Sequence, residues 1–193
     1  MEKLYLKIAF IIFCIGCSLI RNSFEKKTKQ NHIVKDKKDR TEKTVLALTS
    51  LVMIIIPLLY IVSPWLNFAN YNLPLPLHIL GILLAPLTLW LFYRSHADLG
   101  RNWSVSLEVR EKHELITNGV YKNIRHPMYS AIWLWCIIQA LFLENYIAGL
   151  SGCIGFGLLY FFRVNREEKL MEEEFGEAYQ DYKKRTYRLF PKL

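Results

Sequence analysis

The stretch Pro127–Phe162, PMYSAIWLWCIIQALFLENYIAGLSGCIGFGLLYFF, decides the fold. Its one charge is Glu144, and the Glu144-Asn145 pair falls near its middle. A bilayer core about 30 Å thick needs roughly 20 helical residues per crossing. The pattern therefore reads as two short apolar helices joined by a tight turn. Outward from this block, Thr44–Leu66 and Leu73–Tyr93 are long and uncharged, with Pro57 and Pro64 expected to kink or end the first. Leu4–Ile20 is apolar apart from Lys7. Its early lysines suit a signal peptide, but no small-residue cleavage site is convincing, and Arg21 opens a basic run like a stop-transfer flank. The chain reads as an all-α integral membrane protein of about five transmembrane helices, at 4–20, 44–66, 73–93, 127–143 and 145–162. Residues 1–193 are expected to form one domain.

Composition agrees through its distribution rather than its totals. The 193 residues are 52% hydrophobic and 22% charged, values that look almost ordinary. A soluble domain spreads its charges through its helices; here they are sorted into blocks, and the chain is too apolar for disorder. Segment 21–43 holds nine Lys/Arg, segment 94–126 six and segment 163–193 eight, so 23 of 25 lie in alternate connections. By the positive-inside rule these connections are cytosolic, the N-terminus is outside and the C-terminus inside. The net charge of +8 is then a topology signal with some attraction to anionic lipid headgroups. No nucleic-acid module accompanies it, and no nucleic-acid partner is expected.

Several smaller patterns have plain explanations. Cys14 and Cys17 have redox or metal spacing, yet all four cysteines lie in apolar spans and read as packing residues. Gly149, Gly152, Gly155 and Gly157 imitate a phosphate loop but follow no strand, so close helix packing is the better account. The Lys- and acid-rich run 25–43 reads as a solvated connection. No internal repeat supports a transporter of duplicated halves.

The polar segments after spans three and five hold the chemistry. Asn118-Gly119 signals a turn. Pro127 suits the first turn of span four, where its missing N–H costs nothing. Arg125 and His126 then sit at a helix N-terminus on the membrane surface, where an anionic group binds well; interfacial anchoring is the plainer reading. Arg163 and Glu167 are four apart and share a helix face. That spacing is also an ordinary surface pair, but an arginine at that depth is usually paired or lines a cavity. Since the hairpin returns both polar ends to one surface, His126, Tyr129, Arg163 and Glu167 are expected to converge on one pocket.

The passage His113-Glu-Leu-Ile-Thr-Asn-Gly-Val-Tyr121 through Arg125-His-Pro-Met-Tyr129 resembles the isoprenylcysteine carboxyl methyltransferase family. So does Arg163-Val-Asn-Arg-Glu-Glu168 through Phe175-Gly-Glu-Ala-Tyr179. The match spans roughly residues 95–193, the expected catalytic region. It implies an integral membrane methyltransferase using S-adenosyl-L-methionine without a Rossmann domain. Its cytosolic cofactor site would be formed by the loop before span four and the helix after span five. On that resemblance His113, Glu114, Leu115 and Ile116 match a cofactor-binding stretch. Tyr121, His126, Pro127, Met128 and Tyr129 match the remaining loop contacts, with Glu108 as a further polar contact. Glu167 matches the acidic residue near the cofactor and Arg163 the substrate-side arginine, and these two are the expected catalytic pair. Ala131 stands where many members have Gly. No metal is implied.

The implied reaction is a direct displacement, which needs alignment and exclusion of water. A carboxylate acceptor, such as that of an isoprenylated cysteine or a similar isoprenoid, needs no general base. Arg163 would hold it through paired hydrogen bonds, while a lipophilic tail enters sideways from the membrane lipids. Two other classes remain open on the sequence. A phospholipid N-methyltransferase would need a base for its amine, and a non-enzymatic lipid-binding membrane protein would bind no cofactor.

Overall fold

The computed structural model describes residues 3–28, 33–36, 40–102, 108–110 and 114–192. The helices are α1 (Leu4–Thr28), α2 (Arg40–Ser50), α3 (Ile56–Val62), α4 (Leu75–Leu99), α5 (Pro127–Leu143), α6 (Tyr146–Phe175) and α7 (Glu177–Arg185). Among the described residues, four stretches are long and apolar enough to cross a membrane: Leu4–Lys26, Arg40–Val62, Leu75–Leu99 and Tyr146–Phe175. The apolar α5, at 17 residues, is about 25 Å long and shorter than these. The chain is a multi-pass membrane protein. Its helical reading is completed by one small antiparallel pair, β1 (Ile33–Asp36) with β2 (Glu108–Arg110), in which Asp36 faces Glu108 and Ile33 faces Arg110. The pair joins the connection before α2 to the one after α4.

Local chemistry explains where the helices bend and stop. Leu51–Ile55 widens into a π turn just before Pro57, where the proline ring would clash with the carbonyl four residues back. Pro86 lies inside α4 without ending it, as neighbouring helices in a membrane allow. At the hairpin, Glu144 takes a left-handed conformation (φ 44°) and its N–H closes α5 onto the Ala140 carbonyl at 3.3 Å. Asn145 then caps α6, its side chain accepting from the N–H groups of Ile147 (3.0 Å) and Ala148 (2.9 Å).

Two apolar clusters hold the bundle. Leu6, Phe10, Phe13 and Cys17 form one face of α1 at helical spacing and pack with Phe92 of α4 and with Ala131, Ile138 and Phe142 of α5. Tyr129 and Cys136 of α5 pack with Phe156, Leu159, Tyr160 and Val164 of α6, flanked by Val45 and Met53. Helix α6 is the central element: 61% of its apolar window is buried, against 17–28% for the three other long spans. Its glycines admit close neighbours. A Cβ on Gly152 would meet Gln139 Oε1 at 2.7 Å, and one on Gly149 would meet the Ala140 Cα at 3.2 Å. The phosphate-loop look of this run is helix packing.

Lys3 and Lys7, at the start of the chain, are housed rather than solvated. Lys7, 7% exposed, places its ammonium 4.5 Å from the Tyr60 ring centroid. Lys3 Nζ donates to Glu144 Oε1 at 2.7 Å, and His78 Nε2 lies 3.0 Å from the same oxygen. This cluster fastens α1 and α4 to the α5–α6 turn, at the end of the bundle away from Arg163.

Candidate functional site

The loop before α5 is built onto α4. Gly119 has φ +56°, and a Cβ there would collide with the Asp98 carboxylate, so the turn requires glycine. Val120 N–H donates to Asp98 Oδ2 at 2.9 Å, while Arg94 holds the same carboxylate at 2.8 Å. Tyr121 is buried and its hydroxyl donates to the Ser95 carbonyl at 3.1 Å. That burial, with the nearby Glu167 charge, keeps its hydroxyl protonated well above the ordinary range. Tyr182 of α7 donates to the Tyr121 carbonyl at 2.5 Å. The C-terminal segment then runs parallel beside the loop: Arg125 N–H donates to the Tyr187 carbonyl and His126 N–H to the Arg188 carbonyl, each at 2.9 Å.

Glu168, 3% exposed, gathers basic side chains from two segments, the loop before α5 and the stretch after α7. Its Oε1 accepts from Arg125 Nε at 3.0 Å and lies 3.3 Å from His126 Nε2. Arg188 grips both oxygens, Nε to Oε1 at 3.1 Å and Nη2 to Oε2 at 2.7 Å. Burial works against the charged carboxylate. The hydrogen bonds from His126, Arg188 and Arg125 outweigh it and hold its pKa far below the ordinary 4.5.

One turn on, Tyr129 stacks on His126 with ring centroids 5.2 Å apart and planes 12° apart. Its hydroxyl donates to Glu167 Oε2. Arg163 is 7% exposed, and its Nη1 lies 3.9 Å from Oε1 of Glu42, a wholly buried residue of α2. The charges of Glu167, Arg163 and Glu42 all bear on the Tyr129 hydroxyl. Beside this group, an apolar cavity of about 300 Å³ opens between α2 and α6, lined by Val45, Leu48, Val52, Ile154, Leu158 and Phe162 among others. In the chain, Val45 is about one turn from Glu42 and Phe162 directly precedes Arg163.

The sequence candidates divide accordingly. His126, Tyr129, Arg163 and Glu167 come together through the stacking, the Tyr129–Glu167 hydrogen bond and the shared field at Tyr129. The His126 ring also serves Glu168. Met128 packs against the α1–α4–α5 core and Pro127 is buried at the start of α5. Glu114 is exposed, with its N–H on Asn102 Oδ1 at 3.3 Å, and Leu115 and Ile116 are half-buried. His113 lies outside the described residues, and Glu108 is placed only as backbone in β2. Sequence reasoning assigned no role to Glu168, Arg188, Tyr182 or Glu42. Glu168 had a usable signal, a second carboxylate beside Glu167, whereas Glu42 lay hidden in a charged connection.

A multi-pass helical bundle with polar groups gathered at one end of an α5–α6 hairpin defines a membrane protein with an interfacial site. Residues 80–173 match the model of the isoprenylcysteine carboxyl methyltransferase (ICMT) family. The chain is 37% identical over 91 residues to a protein-S-isoprenylcysteine O-methyltransferase of Dictyostelium discoideum, covering 45% of this chain and 37% of that protein. It is 32% identical over 133 residues to the Homo sapiens protein of the same name, covering 64% of this chain and 47% of that one. The chain thus spans less than half the length of either relative. It shares its fold with the solved eukaryotic intramembrane Ras methyltransferase ICMT, with a TM-score of 0.54 and 24% identity over 82% of this chain and 54% of that one.

Proposed function

We propose that this chain is an S-adenosyl-L-methionine-dependent methyltransferase acting on a lipophilic carboxylate, that of an isoprenylated cysteine or similar isoprenoid. The observation that carries this reading is a buried arginine, Arg163, next in the chain to Phe162, which lines an apolar cavity between α2 and α6. A prenyl-sized tail suits the cavity, and the planar guanidinium suits the carboxylate at its head. The family relationship supports the chemistry, and the names of the relatives support the acceptor.

The residues present suit the cofactor. Glu167 offers a carboxylate, oriented by Tyr129, to a ligand with cationic groups. Glu114, Leu115 and Ile116, in the loop after α4, supply partly accessible backbone and side chains, and the resemblance adds His113 and Glu108. Bound there, S-adenosyl-L-methionine supplies a methyl group on a positively charged sulfur. Arg163 captures and aims the acceptor carboxylate, which is already an anion and needs no base. Burial of Arg163, Tyr129 and Glu42 excludes water from the reacting centre, where opposite charges cancel as the reaction proceeds. Glu168 locks His126, and through it Tyr129, in place.

The whole chain acts in this proposal as one membrane methyltransferase domain with five spans, α5 among them, and a catalytic region of about residues 95–193. Its site and C-terminus face the cytosol. The β1–β2 pairing supports this, because it joins two of the Lys/Arg-rich connections on one side. The deciding experiment offers labelled cofactor with a prenylcysteine, an isoprenoid acid or phosphatidylethanolamine. Label in the prenylcysteine or the isoprenoid acid is expected. Label only in phosphatidylethanolamine would reassign the chain to amine methylation, and no label without S-adenosylhomocysteine binding would remove the enzyme reading.

A further inference from the structure

We propose that Glu42 of α2 is the positioning residue that aims Arg163 at the acceptor carboxylate; this rests on the role given to Arg163 above. Glu42 is 0% exposed, although Arg40, Thr41 and Thr44 around it are exposed. A carboxylate is expensive to bury without a compensating charge, so its inward placement needs a partner, and Arg163 supplies one. The separation is informative. Oε1 lies 3.9 Å from Nη1, near enough for strong attraction in a dry site but beyond the roughly 2.7–2.9 Å of a charge-assisted hydrogen bond. Glu42 therefore draws the guanidinium toward α2 without engaging Nη1 in a hydrogen bond, and an acceptor carboxylate arriving at hydrogen-bonding distance outcompetes it.

The placement is built into the helices. Two turns along α2, Thr49 donates from its hydroxyl to the Gly155 carbonyl at 3.1 Å. A Cβ on Gly155 would meet Val52 Cγ1 at 3.2 Å, so the π turn that continues α2 lies against α6 at a depth that admits little more than glycine. That contact fixes where α2 presents Glu42. Glu167 meanwhile is engaged by Tyr129. The two acids thus divide the work: Glu167 faces the cofactor side of Tyr129, and Glu42 steadies the arginine on the acceptor side.

The test compares binding of N-acetyl-farnesylcysteine with that of its neutral methyl ester. It uses the full chain in nanodiscs, unmodified and as Glu42→Gln, Arg163→Lys and the double variant, with S-adenosylhomocysteine affinity measured in parallel. The unmodified protein should prefer the acid by roughly tenfold or more, and Glu42→Gln should lose most of that preference while cofactor-product affinity stays within about twofold. If Glu42 acts through Arg163, the double variant loses no more than Arg163→Lys alone. Losses that multiply, an intact acid preference in Glu42→Gln, or no acid preference in the unmodified protein would each overturn the proposal. An unmodified protein that fails to bind S-adenosylhomocysteine would sink the methyltransferase reading, leaving the acid–ester comparison to decide on Glu42. Should Glu42→Gln fail to insert, Arg163→Gln is melted against the variant that also carries Glu42→Gln. A higher melting temperature for the double variant supports the pair, and an equal or lower one overturns it.

Discussion

In the proposed reaction, Arg163 is where the chemistry turns on the shape of one side chain. Its guanidinium can hold both oxygens of a carboxylate in one plane, whereas a lysine ammonium offers the same charge as a point. Arg163→Lys should therefore lower kcat/KM on a prenylcysteine by one to two orders of magnitude, about 1.4–2.8 kcal/mol of transition-state stabilisation, with little change in S-adenosylhomocysteine affinity. Normal turnover by this variant would return Arg163 to the rank of a buried structural cation. Glu167→Gln differs, because the Tyr129 hydroxyl donates to Glu167. Its loss should weaken cofactor binding as well as turnover, and calorimetry showing unchanged cofactor affinity would detach Glu167 from that role. Both residues were legible in the sequence because helical spacing ties them together across four positions. Glu42 was not, since its partner lies on another helix and no local spacing announces a contact between α2 and α6.

At the scale of elements, Glu168 fastens the end of α6 to the loop before α5 and to the segment after α7. The hairpin that makes this possible was readable from Glu144-Asn145 between two apolar runs. The return of residues 186–189 beside 124–126 was not, because backbone hydrogen bonds such as Arg125 N–H to the Tyr187 carbonyl leave no side-chain pattern. The cluster has a pH signature. The folded-state pKa of Glu168 is depressed, so its stabilising contribution is complete above the ordinary value of 4.5 and drains as pH falls toward the lower folded value. Thermal melting in detergent should steepen its decline with acid below about pH 4.5. Glu168→Gln, which strands Arg125 and Arg188 beside a neutral amide, should cost about 3 kcal/mol at neutral pH and flatten that decline. A Glu168→Gln protein with an unchanged melting curve at both pH values would show that the cations are satisfied without the carboxylate.

At the scale of the whole molecule, two polar clusters sit at opposite ends of the bundle and both are closed by ion pairs. One joins Lys3, His78 and Glu144; the other joins Arg125, His126, Arg188 and Glu168. In the proposed topology, which follows the distribution of Lys and Arg, the second lies in the cytosol. The β1–β2 pair is consistent with that assignment, since it requires the connections before α2 and after α4 to share a side. The assignment is tested with single cysteines in a background lacking Cys14, Cys17, Cys136 and Cys153. Asn72→Cys lies on the exposed connection between α3 and α4, and Gln180→Cys on the exposed face of α7. In intact cells, an impermeant thiol reagent should modify Asn72→Cys at once and Gln180→Cys only after the membrane is opened. The reverse order would invert the protein, carry the site to the outer face, and separate it from a cofactor made inside the cell. A carboxylate methyltransferase drawing on cytosolic cofactor requires the first order, so the labelling pattern bears on function as directly as it does on topology.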